Sequence, residues 1–186
     1  MTPPHTTIET PRLLLRRWQD GDAHDLFEYA SDPEVGPVAG WPPHQSVEES
    51  RQIVQTVFAA PETYAVCLKQ DGRAIGAIGL KFGDGADLAD ADNEAELGYW
   101  LGRPFWGQGI MTEAAGAVLR RAFQDMGLAR VWAGYYDGNE RSRRVLEKCG
   151  FRHWRTTEDV DVPLMGETRT EHAGCIMREE WAPLSF

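Results

Sequence analysis

The sequence predicts an α/β fold in which a mixed, mostly antiparallel sheet is flanked by helices. Short β-rich segments alternate with segments whose apolar residues recur at helical spacing. Two β-rich segments are joined by a tight Asp-Gly turn, whereas most of those in the second half are separated by helices. With 186 residues, 42% of them hydrophobic, the chain is predicted to form a single domain over residues 1–186.

The first half of the chain is predicted to contain a strand, two helices and a hairpin. In order, we predict a strand over 12–18, a helix over 22–30, a helix from 46 to about 60, and hairpin strands over 64–69 and 74–82. Ser46 and Glu49 have the spacing of a capping box, which marks the start of the second helix. Asp71 and Gly72 supply the hairpin turn.

The second half is predicted to alternate strands and helices. In order, we predict a Gly- and Asp-rich loop over 83–93, a strand over 94–101, a helix over about 110–126, a strand over 128–136, a helix over 139–148, a strand over 151–157 and a final strand around 174–181 that pairs with it. Gly127 and Gly150 directly follow the two helices, as C-cap glycines do. Because side chains alternate along a strand, Glu94 and Glu96 share one face and Leu97 lies on the other.

Charge and cysteine content argue against several classes of protein. A net charge of −10 argues against non-specific nucleic-acid binding, which needs a basic surface. Three cysteines without C-x-x-C spacing argue against a disulfide framework or zinc ribbon and favour a reduced, cytoplasmic environment. We expect neither a signal peptide nor a membrane span. The acidic run over 84–96 either attracts a cationic acceptor or is a solvated loop, and since it lacks the EF-hand glycine we predict no metal site.

Two helix starts carry the most informative chemistry. Gly107 and Gly109 flank Gln108 where a helix begins, and the first amides of a helix have no intrahelical partners, so this end is a ready anion site. The loop lacks the Gly-Lys-Ser/Thr of a P-loop, and Thr112 stands where a dinucleotide fingerprint has its third glycine. Asn139 is a good N-cap for the following helix. Each feature alone is equally typical of an ordinary turn or cap.

Together these segments resemble the GNAT superfamily of acyl-coenzyme A dependent N-acyltransferases. In that family a Q/R-x-x-G-x-G/A loop holds the pyrophosphate, and a later helix carries N-x-x-[AS] and ends in K-x-G-F. More narrowly, residues 9–16, the strand over 96–101, the Trp106-Gly107-Gln108-Gly109 loop and Asn139-x-x-Ser142 resemble the branch that acetylates ribosomal-protein N-termini (Rim type). The resemblance covers about residues 8–181.

Three positions depart from the family pattern. Trp106 stands at the usual Arg/Gln position of the loop, and Met111 at its final Gly/Ala position. Backbone amides do not depend on side-chain identity, so phosphate binding is still expected. Leu146 stands where many members carry the tyrosine that protonates the departing thiolate, and the resemblance therefore leaves Ser142 as the candidate for that role.

The resemblance implies acetyl-CoA as cosubstrate and a set of residues that hold it. Backbone groups near Trp100 and Leu101 would contact the pantetheine and the oxyanion. The coenzyme-binding residues implied in this way are Trp100, Leu101, Gly107, Gln108, Gly109, Ile110, Met111, Thr112, Asn139 and Ser142.

The implied reaction is direct attack of a primary amine on the thioester, assisted by a general base. Glu96, acting directly or through water, is the predicted base because its strand leads into the coenzyme loop, and Glu94 is its substitute. Ser142 is predicted to hydrogen-bond the coenzyme sulfur. A solvated strand carboxylate and a helix-start serine are the structural alternatives for these residues. His153 and His172 are interpreted as surface or strand-pairing histidines.

The acceptor stays open at this stage, between a protein N-terminal amine and a small-molecule amine. A coenzyme-binding regulatory module without turnover, a nucleotide-phosphate binder and a homodimeric assembly also remain as alternatives. Trp41 is predicted to line the acceptor pocket, and Trp100, Trp132 and Trp154 to pack in the core. Residues 101–155 carry ten Arg and Lys against five Asp and Glu, although the chain as a whole is acidic. The sequence therefore places the basic charge where a phosphate-bearing coenzyme would bind.

Overall fold

A computed structural model describes residues 6–186, and it has the mixed α/β fold that the sequence predicts. Within these residues eight strands form one sheet in the order β1-β2-β3-β4-β5-β6-β8-β7. The strands are β1 (Ile8–Glu9), β2 (Leu13–Arg16), β3 (Thr63–Leu68), β4 (Ala74–Lys81), β5 (Glu94–Leu101), β6 (Arg130–Tyr136), β7 (Arg152–Val162) and β8 (Glu167–Met177). Adjacent strands are antiparallel, apart from the parallel pair β5 and β6.

Four α-helices flank the sheet in the described part of the chain. They are α1 (Ala23–Ala30), α2 (Val47–Gln55), α3 (Ile110–Arg120) and α4 (Glu140–Lys148). Helix α1 packs against α2 and β4, while α3 packs against α4 and contacts β4 and β5. The completely buried side chains between these layers include Leu13, Leu15, Leu26, Ile75, Val66, Val118 and Val131. None of the described helices is long and apolar enough to cross a bilayer.

The second helix begins as predicted but ends earlier. Ser46 Oγ accepts the amide of Glu49 at 3.1 Å, and the Glu49 carboxylate accepts the amide of Gln45 instead of that of Ser46. The helix stops at Gln55, where the Thr56 hydroxyl bonds back to the carbonyl of Gln52 at 2.6 Å. Such back-bonding bends a helix, and the apolar residues that extended the sequence pattern form a separate 3₁₀ turn over Val57–Ala59.

The Ser46 cap gives a direct stability prediction. Ser46→Ala should lower the free energy of unfolding by about 1 kcal/mol, because the Glu49 amide loses its side-chain acceptor. Ser46→Asp, which keeps an acceptor at the N-cap, is the matched control and should stay close to wild type. Urea denaturation of the three proteins checks the prediction, and equal losses in both variants would contradict it.

The C-terminal hairpin is longer than predicted. The strands predicted over 151–157 and 174–181 do pair, but the structure extends the first to Val162 and places the second at Glu167–Met177. The positions of these strands were therefore partly wrong. The missed part of β7, residues 158–162, follows a register shift between Thr157 and Val160 where Asp159 has a φ of +55°, so the backbone irregularity interrupts the strand pattern. The turn after it is closed by Gly166 at a φ of +65°.

The tryptophans predicted to lie in the core divide into two groups. Trp100 and Trp132 are buried, at 9% and 8% exposure. Trp154 is 61% exposed, so its assignment to the core is wrong. It lies on the outermost strand, β7, and packs edge-on against Trp132, with the ring centroids 5.7 Å apart. An edge strand leaves one side of such a ring to solvent.

The parallel pair β5 and β6 opens part-way along its length. The two strands pair only where Glu94–Glu96 faces Arg130–Trp132. Beyond Glu96 and Trp132 they are no longer paired, although β5 continues to Leu101 and β6 to Tyr136. The opening leaves backbone groups without ladder partners in the middle of the sheet, and it is where the candidate site lies.

Candidate active site

Two cavities meet at the opening between β5 and β6. The larger, which we call the chamber, has a volume of about 690 Å³, and the smaller, which we call the groove, about 300 Å³. Both are lined by Val38, Ala39, Tyr99, Trp100, Asn139 and Ser142. The chamber is lined by side chains from both faces of β5, including Glu96 and Leu97, so it passes through the opening in the sheet.

The groove is built around the start of α3. Gly107 and Gly109 have φ values of +74° and +73°, a left-handed conformation that glycine adopts without strain. The Glu113 amide makes the first bond of the helix, to the carbonyl of Gly109 at 3.0 Å. The preceding amides, including those of Ile110 and Met111, therefore have no backbone acceptor within the described residues. The start of α3 thus has the free amides that an anion site needs, and anion binding there stays a prediction.

Basic side chains surround the start of α3. Arg144 and Lys148 line the groove from α4, and the Arg141 guanidinium lies 3.8 Å from the ring centroid of Trp106. The Trp106 indole is itself fixed, since its Nε1 donates to the carbonyl of Leu101 at 2.7 Å. The positive charge and the free amides together suit a ligand with several phosphate charges.

The residues predicted to bind a coenzyme nearly all line the groove. These are Trp100, Leu101, Gly107, Gly109, Ile110, Met111, Thr112, Asn139 and Ser142. Gln108 differs, since its side-chain amide donates to the carbonyl of Pro104 at 2.9 Å and its own carbonyl accepts from Arg12. Gln108 therefore holds the shape of the loop, and no contact places its side chain in the groove.

A buried carboxylate behind the loop fixes α3 to the first strands. Glu113 is 1% exposed and accepts hydrogen bonds from the Thr10 hydroxyl at 2.6 Å, the Arg12 amide at 2.9 Å and Arg12 Nε at 2.6 Å. The Arg12 guanidinium also donates to the carbonyl of Gln108 at 2.9 Å. Burial alone raises the pKa of Glu113, but these hydrogen bonds outweigh it and hold that pKa below its usual range.

A hydroxyl pair lies where the two cavities meet. Asn139 caps α4 by accepting the amide of Ser142 at 3.2 Å, and the Ser142 hydroxyl lies 2.8 Å from the Tyr99 hydroxyl. The Tyr99 hydroxyl also donates to the Ser142 carbonyl at 3.2 Å. Burial raises the pKa of Tyr99 and so keeps the phenol neutral, although the bond to Ser142 opposes the shift. Leu146 is buried at 4% exposure.

Sequence reasoning missed Tyr99 in this arrangement. It considered a tyrosine only at position 146, on α4, whereas the structure brings a phenol to Ser142 from β5. The signal that could have found it is the residue alternation of β5. Tyr99 and Leu97 share the face opposite Glu96, and a polar hydroxyl on an otherwise apolar face calls for a partner.

The chamber combines aromatic walls with carboxylates. Trp41 lines it as predicted and packs edge-on against Trp100, with the ring centroids 5.7 Å apart. Further aromatic walls come from Phe58, Phe82, Tyr99, Tyr135 and Tyr136. Asp87, Glu96 and Glu171 contribute carboxylates and Lys81 contributes the one cation among the described wall residues. The walls thus carry net negative charge and favour a cationic ligand.

The two glutamates of β5 are both engaged. Glu96 lines the chamber at 7% exposure, but Oε1 accepts from Lys81 Nζ at 2.9 Å, and Oε2 accepts the amides of Asp87 at 2.7 Å and Leu88 at 3.0 Å. Glu94 accepts from Trp132 Nε1 at 2.6 Å and is not among the described wall residues of either cavity. The acidic loop therefore folds back onto Glu96, and its Leu88 is buried. The aspartates of the loop, Asp84, Asp87, Asp90 and Asp92, are nevertheless exposed, as the interpretation as a solvated loop expects.

Comparisons with known proteins decide the family. The family model described as "Acetyltransferase (GNAT) domain" matches residues 12–152, which is more than half of the chain. The chain belongs to the GNAT acetyltransferase family. The GNAT domain uses acetyl-CoA as its cosubstrate, so the resemblance read from the glycine loop and Asn139-x-x-Ser142 is confirmed at the level of the family.

Individual relatives agree with this assignment. The N-acetyltransferase YoaA of Bacillus subtilis is 31% identical over 150 residues, covering 78% of this chain and 82% of its own. The [Ribosomal protein uS5]-alanine N-acetyltransferase of Escherichia coli is 29% identical over 87 residues, covering 47% of this chain and 44% of its own. A GNAT acetyltransferase structure from Bacillus anthracis aligns with a TM-score of 0.83 at 26% identity, covering 94% of this chain and all of that one.

Proposed function

We propose that this GNAT acetyltransferase transfers the acetyl group of acetyl-CoA to a primary amine held in the chamber. The observation that carries the proposal is that the two cavities meet at Ser142. One cavity has the amides and cations that suit the coenzyme phosphates, and the other has the carboxylates that suit a cationic amine. A chain that only bound the coenzyme would have no need of the second cavity.

The acceptor that fits best is an amine beside apolar or aromatic groups. The chamber offers carboxylates on aromatic walls, and its volume of about 690 Å³ holds a small molecule or the first residues of a peptide. An α-amino group, with a pKa of about 7.7–8.0, is easier to deprotonate than a lysine at about 10.4. The E. coli relative, named as an alanine N-acetyltransferase of ribosomal protein uS5, favours a protein N-terminus as the first acceptor to test.

The reaction divides its proton transfers between the two cavities. Acetyl-CoA supplies an activated carbonyl. The Ser142 hydroxyl, at the junction, donates a proton toward the leaving sulfur, and Tyr99 positions that hydroxyl. General-base assistance comes from a carboxylate of the chamber. Glu96 is the base that the sequence predicts and stays a prediction, and Glu171, which lines the same chamber, is the second candidate.

A thiol-release assay tests the proposed function. Wild-type protein is mixed with acetyl-CoA and a panel of N-terminal peptides and small amines, and we expect release of free thiol with at least one acceptor. Coenzyme A should also raise the melting temperature far more than ATP does, since the groove is proposed for the coenzyme. Stabilisation by coenzyme A without thiol release on any acceptor would support a regulatory module, and equal stabilisation by ATP a nucleotide binder. The homodimeric assembly that the sequence left open is checked separately by light scattering.

The start of α3 provides a test of coenzyme binding that does not depend on turnover. Gly109→Ala should weaken coenzyme A binding at least tenfold, because the left-handed conformation of residue 109 aims the free amides into the groove. Gly72→Ala is the matched control, with a φ of +74° in a turn outside both cavities. It should cost similar backbone strain and leave coenzyme affinity unchanged in isothermal titration. Equal affinity in all three proteins would contradict the assignment.

A further inference from the structure

We propose that Glu171, on β8, is the general base that takes the proton from the acceptor amine. This inference rests on the proposed function and goes beyond it by assigning a residue that the sequence did not single out. Glu171 lines the chamber, the cavity that Ser142 also lines.

The position of Glu171 follows from the register of β6 and β8. Its Cα pairs with that of Tyr136, and Gly134 lies two residues back along β6 on the same face of the sheet. A Cβ atom at position 134 would lie 3.1 Å from Glu171 Oε1. The carboxylate therefore lies over the bare backbone of Gly134, next to the residue where β6 parts from β5. Glycine at 134 leaves the room that this placement needs.

The Glu171 carboxylate is available, whereas the two glutamates of β5 are not. Within the described residues it has no hydrogen bond or ion pair, although it is largely shielded from solvent. Both oxygens of Glu96 are held by Lys81 and by the loop amides, and Glu94 is held by Trp132. A carboxylate that already accepts three hydrogen bonds is stabilised in its ionised form and is therefore a weaker base.

The surroundings of Glu171 favour proton uptake by its carboxylate. Burial is the largest cause that raises the pKa of Glu171, and the nearby negative charges of Glu96 and Asp87 raise it further. Arg155 of β7 and Lys81 of β4 oppose the shift without cancelling it. From β6 the neutral Tyr136 phenol also faces this group, with the Arg169 guanidinium 5.2 Å from its ring centroid. A raised pKa makes a carboxylate a stronger base.

The proton balance is simple. The acceptor ammonium gives one proton to Glu171, and the freed nitrogen lone pair forms the C–N bond to the thioester carbonyl carbon. The C–S bond then breaks, and its electron pair leaves on sulfur. Ser142 gives its hydroxyl proton to sulfur and takes up the second proton lost by the nitrogen, so that the products are an amide and a free thiol and Ser142 is again a neutral hydroxyl. Glu171 returns its proton to solvent.

Glu171→Gln tests the base directly. It should lower kcat at least tenfold and flatten the acidic limb of the pH-rate profile, and the loss should shrink with a weakly basic amine that is already neutral at the assay pH. Gly134→Ala, which crowds the carboxylate without changing it, should lower kcat in the same direction. Glu158→Gln, at an exposed carboxylate of β7, is the control and should match wild type.

Glu96→Gln separates the two candidate bases. This change should lower the melting temperature, because the amides of Asp87 and Leu88 lose a charged acceptor. It should leave the acidic limb of the pH-rate profile in place. If Glu171→Gln kept the wild-type kcat and the acidic limb of the pH-rate profile, the inference would be overturned and the proposed function left intact. Loss of the acidic limb in Glu96→Gln but not in Glu171→Gln would have the same consequence. A second measurement does not depend on turnover. The carboxyl ¹³C signal of Glu171 should shift when an acceptor amine is added to protein saturated with coenzyme A. No shift would overturn the inference.

Discussion

Replacement of Ser142 by alanine should lower kcat about a hundredfold with little change in melting temperature, because a positioned proton donor to the leaving sulfur is lost. Tyr99→Phe should lower kcat by a smaller factor, since the phenol acts through its hydrogen bonds to Ser142. The double variant should be no slower than Ser142→Ala, because residues that act as a unit are not additive. Steady-state kinetics of the three variants check this cycle.

Changing the leaving thiol of the acetyl donor distinguishes a chemical role of Ser142 and Tyr99 from a structural one. A thiol with a low pKa leaves without needing a proton donor. With an acetyl thioester of such a thiol, the kcat values of Ser142→Ala and Tyr99→Phe should therefore return toward the wild-type value. Tyr64→Phe removes a buried phenol that bonds to Glu62 outside both cavities and serves as the matched control. Equal defects with good and poor leaving groups would contradict proton donation by Ser142.

Replacement of Glu113 by alanine should lower the free energy of unfolding by about 2–4 kcal/mol, because one buried donor on Thr10 and two partly buried donors on Arg12 lose their acceptor together. The same change releases Arg12 from the carbonyl side of the coenzyme loop, so coenzyme A affinity should also fall. Glu147→Ala, at a largely exposed ion pair with Arg143, is the control and should change stability little.

The contribution of Glu113 should depend on pH. Its folded-state pKa lies below the usual range, so its stabilisation is present above the unfolded pKa of about 4.3 and is lost as pH falls through the folded value. The stability gap between wild type and Glu113→Gln should therefore be full at neutral pH and shrink on acidification. Denaturation midpoints across this pH range check the sign, and a gap that widens in acid would contradict it.

Much of the fold follows from local sequence signals. Strand β5 has the predicted bounds of 94–101, and α4 lies between Asn139 and Gly150 as their capping properties require. The free amides at the start of α3 could be predicted because they depend on a helix start and on two glycines close in sequence. Strand β7 was partly missed because its pairing with β8 shifts register between Thr157 and Val160, which interrupts the pattern before Val160 and Val162.

The side-chain partners in the site could not be predicted in the same way. Glu113 meets Thr10 across 103 residues, and Tyr99 meets Ser142 across 43. Glu96 appeared free in the sequence because nothing local shows that the amides of Asp87 and Leu88 return to it. The placement of Glu171 in the chamber depends on the register of β6 against β8. A polar strand does not specify its register from its sequence pattern alone.

The outer strand β7 bears on the solubility of the protein. Over Arg152–Val162 it is an exposed sheet edge, a ready template for pairing with strands of other molecules. Its pairing with β8 shifts register twice, between His153 and Arg155 and between Thr157 and Val160, and Asp159 has a φ of +55°. Charged side chains and an interrupted backbone make this edge a poor template. The irregularity that obscured the strand in the sequence thus also protects the folded protein from aggregation.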